Sequence, residues 1–211
     1  MSMAIGSRKI AIVRLLLPAL AGALCISSPA QAQFTRAYKF LEAVEKKDGV
    51  KVEEAINKPG STVINSRDVT TGRSAIHIVT ERRDITWLRY LVGKGANVNT
   101  RDDKGVTALQ LATNLGWLDG VEYLVSRKAN VDESDDTGET PLISAVHRKN
   151  VAMMRSLLKG GADPDRADNS GRTARDYAVL SGKSSQLVTT IETHAKPKSK
   201  RGAQATYGPS F

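Results

Sequence analysis

The residues of this 211-residue chain best suited to metal or nucleophilic chemistry are His77, His147, His194 and the single cysteine, Cys25. They are scattered, and one cysteine can make neither an intramolecular disulfide nor a Cys-based zinc site. The run Asp132-Glu133-Ser134-Asp135-Asp136 offers the hard oxygen ligands that calcium takes. It lacks the D-x-D-x-D-G spacing and the distal glutamate of a calcium loop, so it reads as turn chemistry. No serine lies in a G-x-S-x-G elbow, no glycine-rich loop could cradle phosphates, and no carboxylate pair is set apart in an apolar stretch. The sequence therefore predicts no catalytic, cofactor or metal site and no enzyme. Function is expected on a surface.

Charge points the same way. The formal net charge is +9, yet residues 1–32 carry Arg8, Lys9 and Arg14 without an acid, and 195–211 carry Lys196, Lys198, Lys200 and Arg201 without an acid. Residues 33–194 are left at only +2. A nucleic-acid-binding domain would carry its basic charge in the fold, so nucleic acid is not an expected partner. The tail from 195 has no apolar periodicity and reads as disordered, basic and exposed, suited at most to weak contact with an anionic surface.

The N-terminus has the layout of an export signal: a basic stretch over 1–14, an apolar run over 15–26, and Ala30-Gln31-Ala32 as a small-x-small cleavage site. The apolar run is shorter than the roughly 20 residues that span a bilayer. An uncleaved anchor that also recruited Ile10–Val13 would place Arg14 inside the membrane, and Leu24 before Cys25 is too large for a lipoprotein signal. Cleavage after Ala32 would leave a mature chain without thiols, suited to an oxidising compartment. The periplasm is the expected location, with release from the cell as the alternative.

These features hang on a repeat. Gly72, Gly105, Gly138 and Gly171 recur every 33 residues, each followed two positions on by Ser74, Thr107, Thr140 or Thr173. About twenty residues later come Gly95-Ala96-Asn97-Val98-Asn99, Lys128-Ala129-Asn130-Val131-Asp132 and Gly161-Ala162-Asp163-Pro164-Asp165. A fixed period of this size predicts a solenoid. Thr140 before Pro141 supplies an N-cap with proline at N1. The repeated glycine predicts a positive φ in the turn before the cap. A first helix over 108–115 would bury Leu109 and Ala112, and a second over 118–126 would bury Val121, Leu124 and Val125. The small Ala112, Ala145 and Ala178 let paired helices approach. One unit cannot bury its apolar face alone, so stacking is obligatory.

The pattern resembles the ankyrin repeat family over residues 35–194. Full units read as 68–100, 101–133 and 134–166, with an opening unit at 35–67 and a closing unit at 167–194. The opening unit reads as an N-terminal cap built on Phe40, Leu41, Val44, Val52, Ala55 and Ile56, with a longer loop at 58–63. Arg175, Asp176, Ser184, Ser185 and Gln186 give the closing unit a polar outer side. The expectation is an all-α solenoid of about five helix–turn–helix units with β-hairpin loops, capped at both ends and monomeric.

The resemblance implies a binding scaffold that docks a protein partner on a concave face of hairpin tips and first helices. His77, at the family's histidine position, is implied to bridge adjacent units. The groove positions fall on Thr70, Thr71, Arg73, Glu81, Arg82 and Arg101 of the first full unit. The second supplies Asp103, Lys104, Val106, Asn114 and Leu115, and the third Asp136, Thr137, Glu139, His147 and Arg148. This face is expected to be basic at its N-terminal end and acidic along the later hairpins. Leu115 and Val106 are expected as apolar residues that folding does not account for, and Trp87 and Trp117 as packing residues of the second helices. Two other roles use the same groove: an effector released to engage a host protein, and a protective or assembly factor for a periplasmic enzyme.

Overall fold

The computed structural model describes residues 29–182 and 185–196, with side chains from Thr35 onward. Ten helices among the described residues form five helical hairpins. They are α1 (Pro29–Glu45) with α2 (Gly49–Asn57), α3 (Ala75–Glu81) with α4 (Ile85–Gly93), α5 (Ala108–Asn114) with α6 (Leu118–Ser126), α7 (Pro141–His147) with α8 (Val151–Gly160), and α9 (Ala174–Leu180) with α10 (Gln186–His194). The first members stack in series, α1 on α3, then α5, α7 and α9, while α6, α8 and α10 stack behind them. The result is a two-layered, all-α solenoid.

The helices from α3 onward begin at the expected sites. Thr107, Thr140 and Thr173 accept the backbone N–H of Gln110, Ile143 and Asp176, three residues into each first helix. In the second helices Asp48, Asp84, Asn150 and Ser185 do the same. Each such cap contributes about 1 kcal/mol. Capping alone cannot hold helices of seven to ten residues in water. They persist because Ile76, Val79, Leu109, Ala112, Leu142, Ala145 and Ala178 of the first layer bury against Leu88, Leu91, Val121, Leu124, Met154 and Leu157 of the second. Val125 is half-buried. Trp117 covers Gly120 so closely that a Cβ there would lie 2.2 Å from its ring, and Trp87 packs half-buried on α4.

At the N-terminal end Phe40, Leu41, Val44 and Val52 are buried, with Ala55 and Ile56 half-buried beside them. After the loop at 58–63 the chain enters a 3-10 turn, Val63–Asn65. Helix α1 begins at Pro29 and runs through the expected cleavage point at Ala32. The stretch 1–28 of the expected export signal, Ser184 and residues 197–211 lie outside the described residues.

The hairpin loops are leaner than the expected β-hairpins. Three of them carry a single antiparallel bridge, Arg67 with Ser74, Arg101 with Thr107 and Ala167 with Thr173. Ser74, Thr107 and Thr173 are already the N-cap residues of the next helix, so no room remains for a strand. Gly138 has φ +80, and a Cβ on it would stand 2.6 Å from the backbone N of Asn169 in the following hairpin.

Candidate functional site: the concave face

Each hairpin tip is a turn closed by its own aspartate. Asp68, Asp102, Asp135 and Asp168 accept the backbone N–H two residues on, from Thr70, Lys104, Thr137 and Ser170, at 2.8–3.0 Å. Asp168 also accepts the hydroxyls of Ser170 and Tyr177, which hold its carboxyl at a pKa of about 2.

Neighbouring tips are then joined by backbone. Asp103 N–H donates to the Thr71 carbonyl, Asp136 to Lys104 and Asn169 to Thr137, at 3.1–3.2 Å. A second ladder runs behind them. The N–H groups of Asn97, Asn130 and Asp163 donate to the side-chain oxygens of Asn65, Asn99 and Asp132, at 2.7–2.8 Å. The acidic run therefore has structural work to do: Asp132 is a rung of this ladder, Asp135 closes a tip, and Glu133 pairs with Arg101.

His77 bridges units as implied. The Ser74 N–H donates to its Nδ1 at 3.1 Å, which leaves the ring proton on Nε2 to meet the Val106 carbonyl at 3.0 Å. Burial pushes its pKa below the usual histidine value. At the same position one unit on, Gln110 donates to the Ser144 hydroxyl at 2.8 Å.

Several expected groove residues are tied into the array. Arg73 pairs with Glu81 at 2.6 Å, Arg67 with Asp103 at 2.8 Å, and Arg101 with Glu133 while also donating to the Ser134 carbonyl. The expected basic N-terminal end is thus largely offset by its own acids. Arg82 donates through Nη1 to the carbonyls of Val44 and Glu45, and Arg148 donates to those of Thr113 and Asn114. Both close the C-terminus of the first helix in the preceding unit, where carbonyls lack partners and cations are favoured. Leu115 is half-buried against the core, so folding does account for it, while Val106 is half-buried and meets His77 through its backbone carbonyl.

The remaining groove residues stay presented. Lys104, Asn114, Asp136 and Thr137 are exposed. The Lys104, Asn114 and Asp136 side chains have no partner among the described residues, while the Thr137 hydroxyl donates to Asp135. His147 is exposed, 3.4 Å from Glu139 and edge-on to Tyr177 with ring centres 4.4 Å apart.

In register, Glu81, Asn114 and His147 form one line of the first helices, and the next position is Leu180, 70% exposed. Asp103, Asp136 and Asn169 form a line of tips that Thr70 begins, and Val69, 68% exposed, belongs to the first tip, which has one residue more between its aspartate and its glycine than the others. Sequence reasoning passed over both apolar residues. Counting 33 back from Leu180, and aligning Asp68 with Asp102, would have found them. The groups of this face offer hydrogen bonding, charge and two apolar contacts over a span of four units. They hold no nucleophile–base pair, and no cluster of three potential metal ligands occurs among the described residues.

Family models match on both halves of the array. Residues 40–135 match a model of ankyrin repeats in three copies, and residues 124–178 match one of ankyrin repeats in many copies. The chain belongs to the ankyrin repeat family. Ankyrin repeats in general mediate protein–protein interaction and are typically non-catalytic binding scaffolds. The ankyrin ladders described above fix the spacing of the tips, so the concave face is set before any partner arrives.

Proposed function

We propose that this ankyrin protein is an exported, non-catalytic module that docks a protein partner on its concave face. The observation that carries the reading is the contrast along that face. Arginines such as Arg82 and Arg148 are consumed in building the array, whereas Lys104, Asn114, Asp136, Leu180 and Val69 project from it. An exposed apolar residue in the first tip and another on the last first-layer helix suit a partner that lies along the array, anchored apolar at its ends and oriented by charge between them. Export rests on the basic, apolar and small-x-small layout of residues 1–32. The periplasm is the proposed location, reached by the chain as a monomer.

A photo-activated cross-linker placed at Asn114 or Leu180 in intact cells, with controls at Glu122 and Arg89 on the second layer, tests this directly. The same adduct from both concave positions, and none from the controls, supports the reading. Adducts from the controls alone contradict it. Fractionating the cells in the same experiment separates a periplasmic protein from a released effector. A cross-linked exported enzyme would identify a protective or assembly role.

A further inference from the structure

The opening unit departs from the array in a way that folding does not require. Between α2 and the ladder residue Asn65 lie seven residues, against five between α4 and Asn99. The longer loop is a fixed feature: the Ser61 hydroxyl donates to the Ala55 carbonyl at 2.7 Å, the Ser61 N–H to Lys58 at 2.9 Å, and Gly60 turns the chain with φ +70. With α1 and α2 it lines a half-open cavity of about 430 Å³, within the size range of small-molecule sites.

The lining has two halves of different chemistry. Phe40, Ala55 and Val63 give it an apolar wall, and Phe40 belongs to the buried core. Arg36, Lys39, Lys51 and Lys58 contribute four cations against one carboxylate, Glu54. Lys51 is held by Asp48 at 2.6 Å, while Lys39 on α1 and Lys58 on the loop make no ion pair among the described residues. Charges beside an apolar wall act through a lower effective dielectric than in open water, which strengthens their hold on an anion.

We propose that this cavity binds a small anionic amphiphile, its acid group at Lys39 and Lys58 and its apolar body on Phe40, Ala55 and Val63. The site lies at the capping unit, away from the tips of the concave face, and does not depend on the docking reading.

Calorimetric titration of the full mature chain with decanoate tests it, using decanol to remove the charge and inorganic phosphate to remove the apolar body. Saturable decanoate binding is expected, with decanol and phosphate each weaker by about tenfold or more. Lys39→Glu with Lys58→Glu should weaken decanoate by about tenfold. Ala55→Leu, which fills the cavity without touching charge, should weaken decanoate and decanol alike. Circular dichroism on each variant confirms the fold, and amide NMR shifts should centre on residues 36–63. The proposal is overturned if decanoate does not saturate the wild-type chain, if decanol or phosphate binds as well as decanoate, or if neither the charge variant nor Ala55→Leu changes binding. Asn114→Ala, on the concave face, should leave decanoate binding intact.

Discussion

Arg82 reaches from the turn after α3 to the end of α1, where its Nη1 donates to the Val44 carbonyl at 2.7 Å. The adjacent Arg83 donates forward to the Leu115 carbonyl at 2.8 Å, and Arg148, two units on, reaches back to Thr113 at 3.2 Å. The ends of two first-layer helices, α1 and α5, are thereby closed by guanidinium groups of neighbouring units. Leu115, at the register of Arg82 and Arg148, cannot do this for α3, and its own carbonyl is instead the acceptor of Arg83 from that unit.

Arg82→Ala should therefore destabilise the array. Two helix-end carbonyls lose a charged donor, a loss of about 1–3 kcal/mol. The lower half of that range is expected, because Nε and Nη2 of Arg82 are buried without an acceptor among the described residues. Arg148→Ala should behave alike. Urea unfolding checks both: a midpoint unchanged from wild type would remove the structural role.

Gly138→Val should cost more than Gly171→Val. Both glycines have φ near +80, so either change brings backbone strain of about 1–2 kcal/mol. Only at Gly138 would the new Cβ also strike the Asn169 backbone, whereas nothing lies within 4 Å of Gly171. Thermal unfolding of the two variants measures the difference, and equal losses would mean that the hairpins are not in this close contact.

The acidic run should be indifferent to calcium and sensitive to its ladder. Asp132→Ala removes the acceptor of the Asp163 N–H and should cost about 1–3 kcal/mol. Asp132→Asn should be close to neutral, since Asn65 and Asn99 accept the equivalent bonds. Added calcium should leave the wild-type melting temperature where it was. A calcium-dependent rise would restore the metal reading.

His77 makes stability depend on pH. Its folded pKa lies below the usual value of about 6.5, so the unfolded chain binds the proton more tightly. Stability is full above that value, falls as the pH drops through it, and levels off below the folded pKa. His77→Gln, the residue found at the matching position 110, should flatten this part of the profile. A wild-type profile already flat between pH 7 and 5 would contradict the buried, neutral ring.

The fold was legible because the 33-residue period places glycine, hydroxyl cap and apolar stripe in one register, and each has a local physical cause. The paired helices over 75–93, 108–126 and 141–160 follow from it, whereas the His77 bridge was implied by the family resemblance. The concave face was legible only in outline. Register shows which positions are first-layer and exposed, but not that Arg82 and Arg148 fold back onto carbonyls some 34–38 residues earlier, because a flexible side chain's partner depends on the stacking distance. Leu180 was missed for the opposite reason. The polar substitutions of the closing unit suggested a solvent-facing cap, while its register places it on the docking line.

The central claim is that the concave face holds the partner, and the dissociation constant of the cross-linked partner tests it most directly. It should be measured for Lys104→Glu with Leu180→Ala, and for a chain ending at His194 that lacks the four cations of the tail. Both changed side chains project from the array, so the fold should survive at a cost of about 0.5 kcal/mol per site. The account predicts a loss of about thirtyfold or more for the double variant, the scale of one hot spot. It predicts a smaller loss for the shortened chain, one that shrinks in high salt. Unchanged binding by the double variant, with binding abolished in the shortened chain, would contradict the account and make the tail the recognition element.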